Sequence, residues 1–210
     1  MTGGARMAAW MVVDRSKAPP LSARSDDDLM LLVQRGNHVA FAAIVRRHQA
    51  RVLRIAARYV RDLNQAQDVS QGVFLELYRN RARYEPRSKF LAYLCRIALN
   101  QCRMSIRASR TARYHVDIDT SVSSLAIDPI SSCERRRDLD LALSELSEKL
   151  RSVVILRYVA DLDHAQIADA LEIPMGTVKR RLFDAMSRLR ATLSDPSHAP
   201  FDSDSARHER

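Results

Sequence analysis

Apolar residues return every three or four positions through most of the middle of the chain. Phe41, Ile44, Val45, Val52, Ile55, Ala56 and Tyr59 keep this spacing, while Arg46, Arg47, Arg51, Arg54, Arg58 and Arg61 decorate the other faces. The pattern predicts an amphipathic helix ending near Asp62. Ahead of it, SDDDLMLLVQRG combines a serine cap, acids in a first turn, an apolar stripe and Gly36 as a stop, which together mark a shorter helix starting at Ser25. Val69, Val73, Phe74 and Leu77 define the buried stripe of a third helix from Asn64 to Arg83. YEPRSK then interrupts, because Pro86 restricts the residue before it and cannot continue a helical ladder. A fourth helix runs from about Phe90 to Arg107, with Phe90, Leu94, Ile97 and Ala98 on one face. On another face Arg96, Asn100, Arg103 and Arg107 recur at spacings of four, three and four. That row of guanidinium groups with one amide suits a phosphate backbone and offers one candidate for reading a base.

The periodicity lapses over residues 108–133, a stretch rich in Ser, Thr, Asp and Arg that reads as a flexible linker. Beyond it, CERRRDLDLALSELSEKLRSVVILRYVADL supports two short helices. DLDHAQIADALEIPMGTVKRRL then reads as helix, tight turn, helix. Asp163 caps the first helix, Ile167, Ala168 and Leu171 face inward, and Ile173-Pro174 closes the turn. In the second helix Thr177 is placed to cap the first turn, and Val178, Leu182, Met186 and Leu189 form the inner stripe. A helix-turn-helix of this kind seats its second helix in a DNA major groove, where the amino end and outward side chains reach base edges. Lys179, Arg180 and Arg181 sit side by side there, and their mutual repulsion is relieved when a polyanion supplies the counter-charge. An ordinary amphipathic helix pair with a solvated basic face would carry the same residues.

Composition sharpens this picture. Only five glycines occur among 210 residues, 46% of the chain is hydrophobic, and no run alternates with period two, so the fold class expected is all-α. Two small helical domains follow, at residues 25–107 and 134–194, joined by the linker, with a flexible leader over 1–24 and a disordered tail over 195–210. The net charge of +9 is unevenly placed: residues 25–107 hold 15 basic and 7 acidic side chains, residues 134–194 hold 11 and 10. A local basic excess points to nucleic acid. Membrane insertion is not expected, and the apolar patch Ala8 to Val13 is too brief for a signal peptide, so the expected location is cytoplasmic.

Cys95, Cys102 and Cys133 are odd in number and lack C-x-x-C spacing, which favours small core residues over metal ligands. The six histidines, at 38, 48, 115, 164, 198 and 208, are scattered, and no phosphate-cradling glycine loop, H-E-x-x-H or G-x-S-x-G is present. The expectation is a protein without enzymatic activity, catalytic residues, metal or cofactor.

The segments SDDDLMLLVQRGNHVAFAAIVRRHQARVLRIAARYV, AQDVSQGVFLELY, KFLAYLCRIALN and DLDHAQIADALEIPMGTVKRRLFDAMSRLR, in this order, resemble bacterial RNA polymerase sigma factors of the extracytoplasmic-function class. The resemblance covers both domains. It implies a subunit that carries core RNA polymerase to promoter DNA, its first domain melting and reading the −10 element and binding the polymerase clamp, its second reading the −35 element. Carried over by position, Asp68 and Gln71 belong to the clamp-binding segment. Tyr84, Arg87 and Lys89 fall in the loop that captures an unstacked −10 base, and Asn100, flanked by Arg96 and Arg103, matches a nearby reader. Stacking surface and hydrogen bonds to a base edge are what a flipped base needs. Thr177, Lys179, Arg180, Arg181, Phe183 and Asp184 are assigned to the −35 element, where Lys or Arg donates to guanine and Asp184 accepts from cytosine. An anti-sigma partner is a further implication.

The chain departs from the family at several positions. Gly72 and Gln67 stand where acids are usual, Tyr93 replaces a tryptophan, Met104 an aspartate, and Glu172 replaces the glycine of the turn, where a positive φ would strain it. Two rivals share much of the sequence pattern: a free-standing helix-turn-helix regulator and a decoy that binds an anti-sigma factor without initiating transcription.

Overall fold

The computed structural model describes residues 20–60, 62–113 and 130–194. Among the described residues the chain forms α-helices and short 3-10 turns and no strand, as the missing period-two pattern predicted. The first unit comprises α1 (Asp26–Gln34), α2 (His38–Val60), α3 (Leu63–Arg79) and α4 (Phe90–Arg113). Ser25 caps α1, its Oγ accepting from the Asp28 amide at 3.1 Å. Gly36 ends that stretch at φ +85°, a conformation that costs glycine little and other residues more.

Leu29 and Met30 of α1, Ile44 and Ile55 of α2, Leu77 of α3 and Leu94 and Leu99 of α4 close into one core from which water is excluded. Each such side chain contributes roughly 1.5–3 kcal/mol relative to exposure. Gly72 lies where α3 crosses α4: a Cβ built there would stand 3.2 Å from Gln101 Oε1.

Two boundaries differ from the sequence expectation. The third helix stops at Arg79, four residues early, with Asn80 as its C-cap: the Asn80 side-chain amide donates to the Glu76 carboxylate and its backbone N–H to Glu76 O, and a 3-10 turn follows at Arg81–Arg83. Gln34 supplies the acceptors of that turn with a donor, its Nε2 donating to Arg81 O at 2.9 Å and Tyr84 O at 2.6 Å. The fourth helix continues beyond Arg107 to Arg113. Gln65 of α3 stitches its far end, with Nε2 donating to Ser105 Oγ at 2.8 Å and Ser109 Oγ at 2.7 Å.

The second unit comprises α5 (Ile130–Glu145), α6 (Glu148–Tyr158), α7 (His164–Leu171) and α8 (Met175–Ser194), packed around Val153, Ile155, Leu156, Leu162, Ile167, Val178 and Ala185. Asp163 caps α7 as expected and completes a capping box: Gln166 N donates to Asp163 Oδ1 at 2.7 Å and Asp163 N to Gln166 Oε1 at 3.0 Å. Thr177 does not cap α8. The helix begins two residues earlier, and Thr177 N donates to Pro174 O at 2.9 Å, so Thr177 already lies in the first turn. Pro174 suits the start of a helix because the N–H it lacks would have no helical acceptor there.

Helix thus occupies both ends of the stretch read as a linker over 108–133. Residues 1–19 of the expected leader, residues 114–129 and the expected tail lie outside the described residues.

Candidate nucleic-acid interface

The turn between α7 and α8 aims the second helix outward. Glu172 takes the left-handed conformation at φ 53° and ψ 46°, the strained geometry that its replacement of glycine implied, and Ile173 N closes onto Ala168 O at 3.1 Å. On α8, Val178, Leu182, Ala185 and Leu189 are buried, which leaves Lys179, Arg180 and Phe183 exposed on the opposite face, Phe183 by 75%. Arg181, Thr177 and Asp184 are half-buried at its margins. Arg180 Nε lies 3.9 Å from Asp184 Oδ2, too far for a hydrogen bond between the two. Beside this face runs a shallow groove of about 410 Å³ lined by Arg157, Tyr158, His164, Phe183, Ser187 and Arg190. Tyr158, 62% exposed at the last position of α6, was not legible as a surface residue, because the apolar run before it reads as core throughout.

On α4 the guanidinium row is assembled as its spacing predicted. Asn100 is exposed and accepts from Arg103 Nη1 at 3.2 Å through its carbonyl, which leaves its NH2 facing outward from that bond. Arg96, Arg103 and Lys89 each meet a group of the second unit. Arg96 Nη1 lies 2.6 Å from Glu172 Oε1 and its Nη2 donates to Asp169 O at 2.7 Å; Lys89 Nζ lies 2.7 Å from Asp169 Oδ1; Arg103 Nε lies 2.5 Å from Glu148 Oε1. Arg87 is exposed in the loop and paired with Glu85.

Tyr84 leaves the set of base-stacking candidates. It is 6% exposed, its hydroxyl donates to Asp27 Oδ1 at 2.6 Å, and its ring packs against Phe90 and Tyr93 with centroids 5.9 Å and 5.3 Å away. The ring is part of the core. A tyrosine beside a proline loop reads as surface in the sequence; the acid that buries it lies 57 positions upstream.

On α3, Asp68 and Gln71 are exposed on the face away from the core, with Gln67 beside them and Leu75 49% exposed one turn further on. Leu75 was missed by sequence reasoning, although it falls off the stripe of Val69, Val73 and Leu77 and that displacement was its signal. Phe74 is buried and belongs to the core.

The remaining candidates for chemistry are quiet. Burial pushes the thiols of Cys95 and Cys102 up to about 12. Among the described residues no cluster of His, Cys, Asp or Glu could hold a metal ion, and no helix is long and apolar enough to cross a membrane.

Residues 44–112 match the family model of sigma-70 region 2, and residues 136–189 match that of sigma-70 region 4. The RNA polymerase sigma-H factor of Pseudomonas aeruginosa is 30% identical over 185 residues, which cover 82% of this chain and 96% of that protein. The chain belongs to the extracytoplasmic-function class of bacterial RNA polymerase sigma factors. The SigW factor of Bacillus subtilis, 28% identical over 78% of this chain and 94% of its own length, and the sigma-E factor of Escherichia coli, 30% identical over 77% and 90%, agree. Two solved structures share the sigma-factor fold: CnrH in complex with the cytosolic domain of CnrY, with TM-score 0.64, 24% identity, and coverage of 80% of this chain and 96% of that one; and the sigma factor RpoE of Bartonella quintana in complex with the anti-sigma factor NepR, with TM-score 0.61, 22% identity, and coverage of 73% and 96%. As a sigma factor, the protein directs RNA polymerase to promoters for transcription initiation.

Proposed function

We propose that this sigma factor reads the −35 element through α8 and holds the −10 strand against α4, while the outer face of α3 docks on the polymerase clamp. The observation that carries the −35 assignment is the exposed face of Lys179, Arg180 and Phe183 on a helix whose opposite side is anchored in the core. Lys179 and Arg180 can donate to guanine, Phe183 can meet a thymine methyl, and Asp184 can accept from cytosine. Arg181 and Thr177, nearer the margin, suit phosphates.

For the −10 strand, Asn100 offers the amide that reads a base edge, and Arg96, Arg103, Lys89 and Arg87 supply backbone charge. Asp68 and Gln71, with Leu75 next to them, give the clamp an acid, an amide and an apolar contact. Two modest readers tethered to one polymerase raise each other's effective concentration, so neither has to bind free DNA tightly. RNA synthesis itself is the chemistry of core polymerase, and the protein works in the cytoplasm. An anti-sigma factor that covers these faces is the expected regulator, in keeping with the partner named for the Bartonella quintana factor.

Transcription with purified core polymerase tests the assignment. Reversing charge at Lys179 and Arg180 is expected to abolish −35 dependence while core binding persists, because the clamp face lies in the other unit. Loss of core binding in that variant overturns the division of labour. Specific duplex binding without any core-dependent transcripts favours the free-standing regulator, and capture of an anti-sigma factor alone favours the decoy.

A further inference from the structure

One end of the first unit carries an aromatic stack that none of the assigned sites uses. The ring of Tyr78, in the last turn of α3, lies against the His38 ring at the start of α2, with centroids 6.1 Å apart and planes 28° from parallel. The Arg81 guanidinium stands over the same tyrosine, its Cζ 4.1 Å from the ring centroid, and Phe41 braces that ring at 5.0 Å and 60°. Backbone contacts hold the parts in place. Arg81 Nη1 donates to Tyr78 O at 2.8 Å, Gln34 Nε2 donates to Arg81 O at 2.9 Å, and Ala40 N donates to Asn37 Oδ1 at 2.9 Å, which fixes the turn that delivers His38. His38 itself is exposed, and among the described residues no hydrogen bond engages its ring.

The charge around this stack has one sign. Residues 34–41 and 78–83 hold Arg35, Arg79, Arg81 and Arg83 and no acid, and the acids that flank the second stretch, Glu76 and Glu85, are taken by Asn80 and Arg87. Arg35, Arg79 and Arg83 are exposed, and their side chains have no partner among the described residues. An acidic protein surface would neutralise these arginines yet leave the exposed His38 ring without a matching plane. A single strand of DNA meets both, with phosphates for the guanidinium groups and a base for the ring. Arg83 adjoins the 84–89 loop assigned to the −10 strand, and Gln34 bonds to both Arg81 O and Tyr84 O, so the stack and the loop share one support.

We propose that His38, Tyr78 and Arg81 form a second base-holding site: an unpaired base neighbouring the −10 element stacks on His38, which Tyr78 and Arg81 back, while Arg35, Arg79 and Arg83 hold the adjoining phosphates. The proposal rests on the assignment of the 84–89 loop to the −10 strand. A stacked base is met by its face, and every base has one, so this site grips the strand without selecting its sequence. Discrimination stays with Asn100. Bases in a duplex are already stacked on one another, so the site engages only separated strands. It therefore favours the melted promoter over the closed one, in addition to whatever the −10 readers contribute.

The test uses the full chain and two labelled probes read by anisotropy, an oligothymidylate and an abasic strand of the same length. Stacking is lost with the bases, so the wild type is expected to prefer the first probe by at least about fivefold. His38→Ala, and Arg81→Lys, which keeps the charge and loses the plane, are each expected to cut that preference by about threefold while abasic binding holds; His38→Tyr, which restores a ring, is expected to recover it. Arg79→Gln with Arg83→Gln is expected to weaken both probes and flatten their salt dependence more than Arg46→Gln with Arg54→Gln, which removes the same charge from exposed positions of α2. Equal weakening by the two pairs, or an unchanged preference in both His38→Ala and Arg81→Lys, overturns the proposal. So does a loss of core-polymerase affinity in those variants with strand binding intact, which would give this end of the unit to the clamp. Arg87→Gln with Lys89→Gln separates such a failure from failure of the −10 reading: weaker strand binding there keeps the loop on DNA and removes only the stack, whereas unchanged binding removes the loop as well.

Discussion

Tyr84 donates its hydroxyl hydrogen to Asp27 Oδ1 at 2.6 Å, tying the loop after α3 to the first turn of α1. Burial, and the Asp27 and Asp26 carboxylates beside it, hold the phenol far above its ordinary range, so it remains a neutral donor. Replacing Tyr84 by Phe keeps the ring and removes the donor, at an expected cost of about 1 kcal/mol because half-buried Asp27 can rehydrate. Replacing it by Ala opens the aromatic cluster with Phe90 and Tyr93 and should cost about 3–5 kcal/mol. Denaturant unfolding measures both. Discrimination among −10 sequences is expected to be unaffected in Tyr84→Phe and relaxed in Asn100→Ala; altered discrimination in the former would return Tyr84 to the DNA.

Gly72 is the position where the sequence and the packing pull in different directions. In the interior of α3 glycine costs about 1 kcal/mol relative to alanine, whereas a new Cβ would stand 3.2 Å from Gln101 Oε1. That oxygen is the far end of a flexible side chain and can move by the few tenths of an ångström required. Gly72→Ala is therefore expected to stabilise the protein by up to about 1 kcal/mol, read from the midpoint of urea unfolding. A loss of stability would mean that Gln101 is held more firmly than its position suggests.

The helices were legible because their apolar stripes are local: Val69, Val73 and Leu77, or Val178, Leu182 and Leu189, sit within one turn or two of each other and are buried as a set. Caps at Ser25 and Asp163 were legible for the same reason. What escaped depends on partners distant in sequence. Tyr84 is buried by Asp27, α4 is held past Arg107 by Gln65, and Arg96 is engaged by Glu172 across 76 positions. The spacing of the row on α4 is visible in the sequence, but nothing local shows that its cations have intramolecular partners. Thr177 failed as a cap for a different reason: Pro174 can itself open a helix, which moves the start two residues upstream.

Asp26, at the first position of α1, is shared by Arg47 Nη1 at 2.5 Å and His48 Nε2 at 2.9 Å. Burial raises its pKa, but the hydrogen bond and charge of His48 and those of Arg47 outweigh it and leave the carboxyl below its ordinary value of 3.8. A depressed carboxyl stabilises the fold above its unfolded value and loses that contribution as pH falls through the folded one. Below about pH 4 the stability difference between wild type and Asp26→Asn should thus shrink as the pH drops. Urea melts at several acid pH values check this, and a difference that grew on acidification would reverse the assignment.

Cys95 and Cys102 follow the opposite sign. Burial pushes both thiols up to about 12 from 9.0, and burial, only partly offset by the bond to Ser152, leaves Tyr59 at about 12 against 10.0. A raised acid stabilises the fold fully below its unfolded value, and that contribution is lost as pH climbs toward the folded one. Stability should then fall from about pH 9 upward, with the thiols contributing first and Tyr59 joining above about pH 10. Cys95→Ala with Cys102→Ala is expected to unfold more easily at neutral pH, through lost packing, yet to show a flatter decline between pH 9 and pH 10 because the two buried thiols no longer titrate there. In a Cys133→Ser background, a thiol reagent at pH 8 should leave both buried thiols unmodified in the native protein and modify both once guanidinium unfolds it. Rapid modification of either in the folded state would place that thiol at the surface and remove it from the alkaline slope.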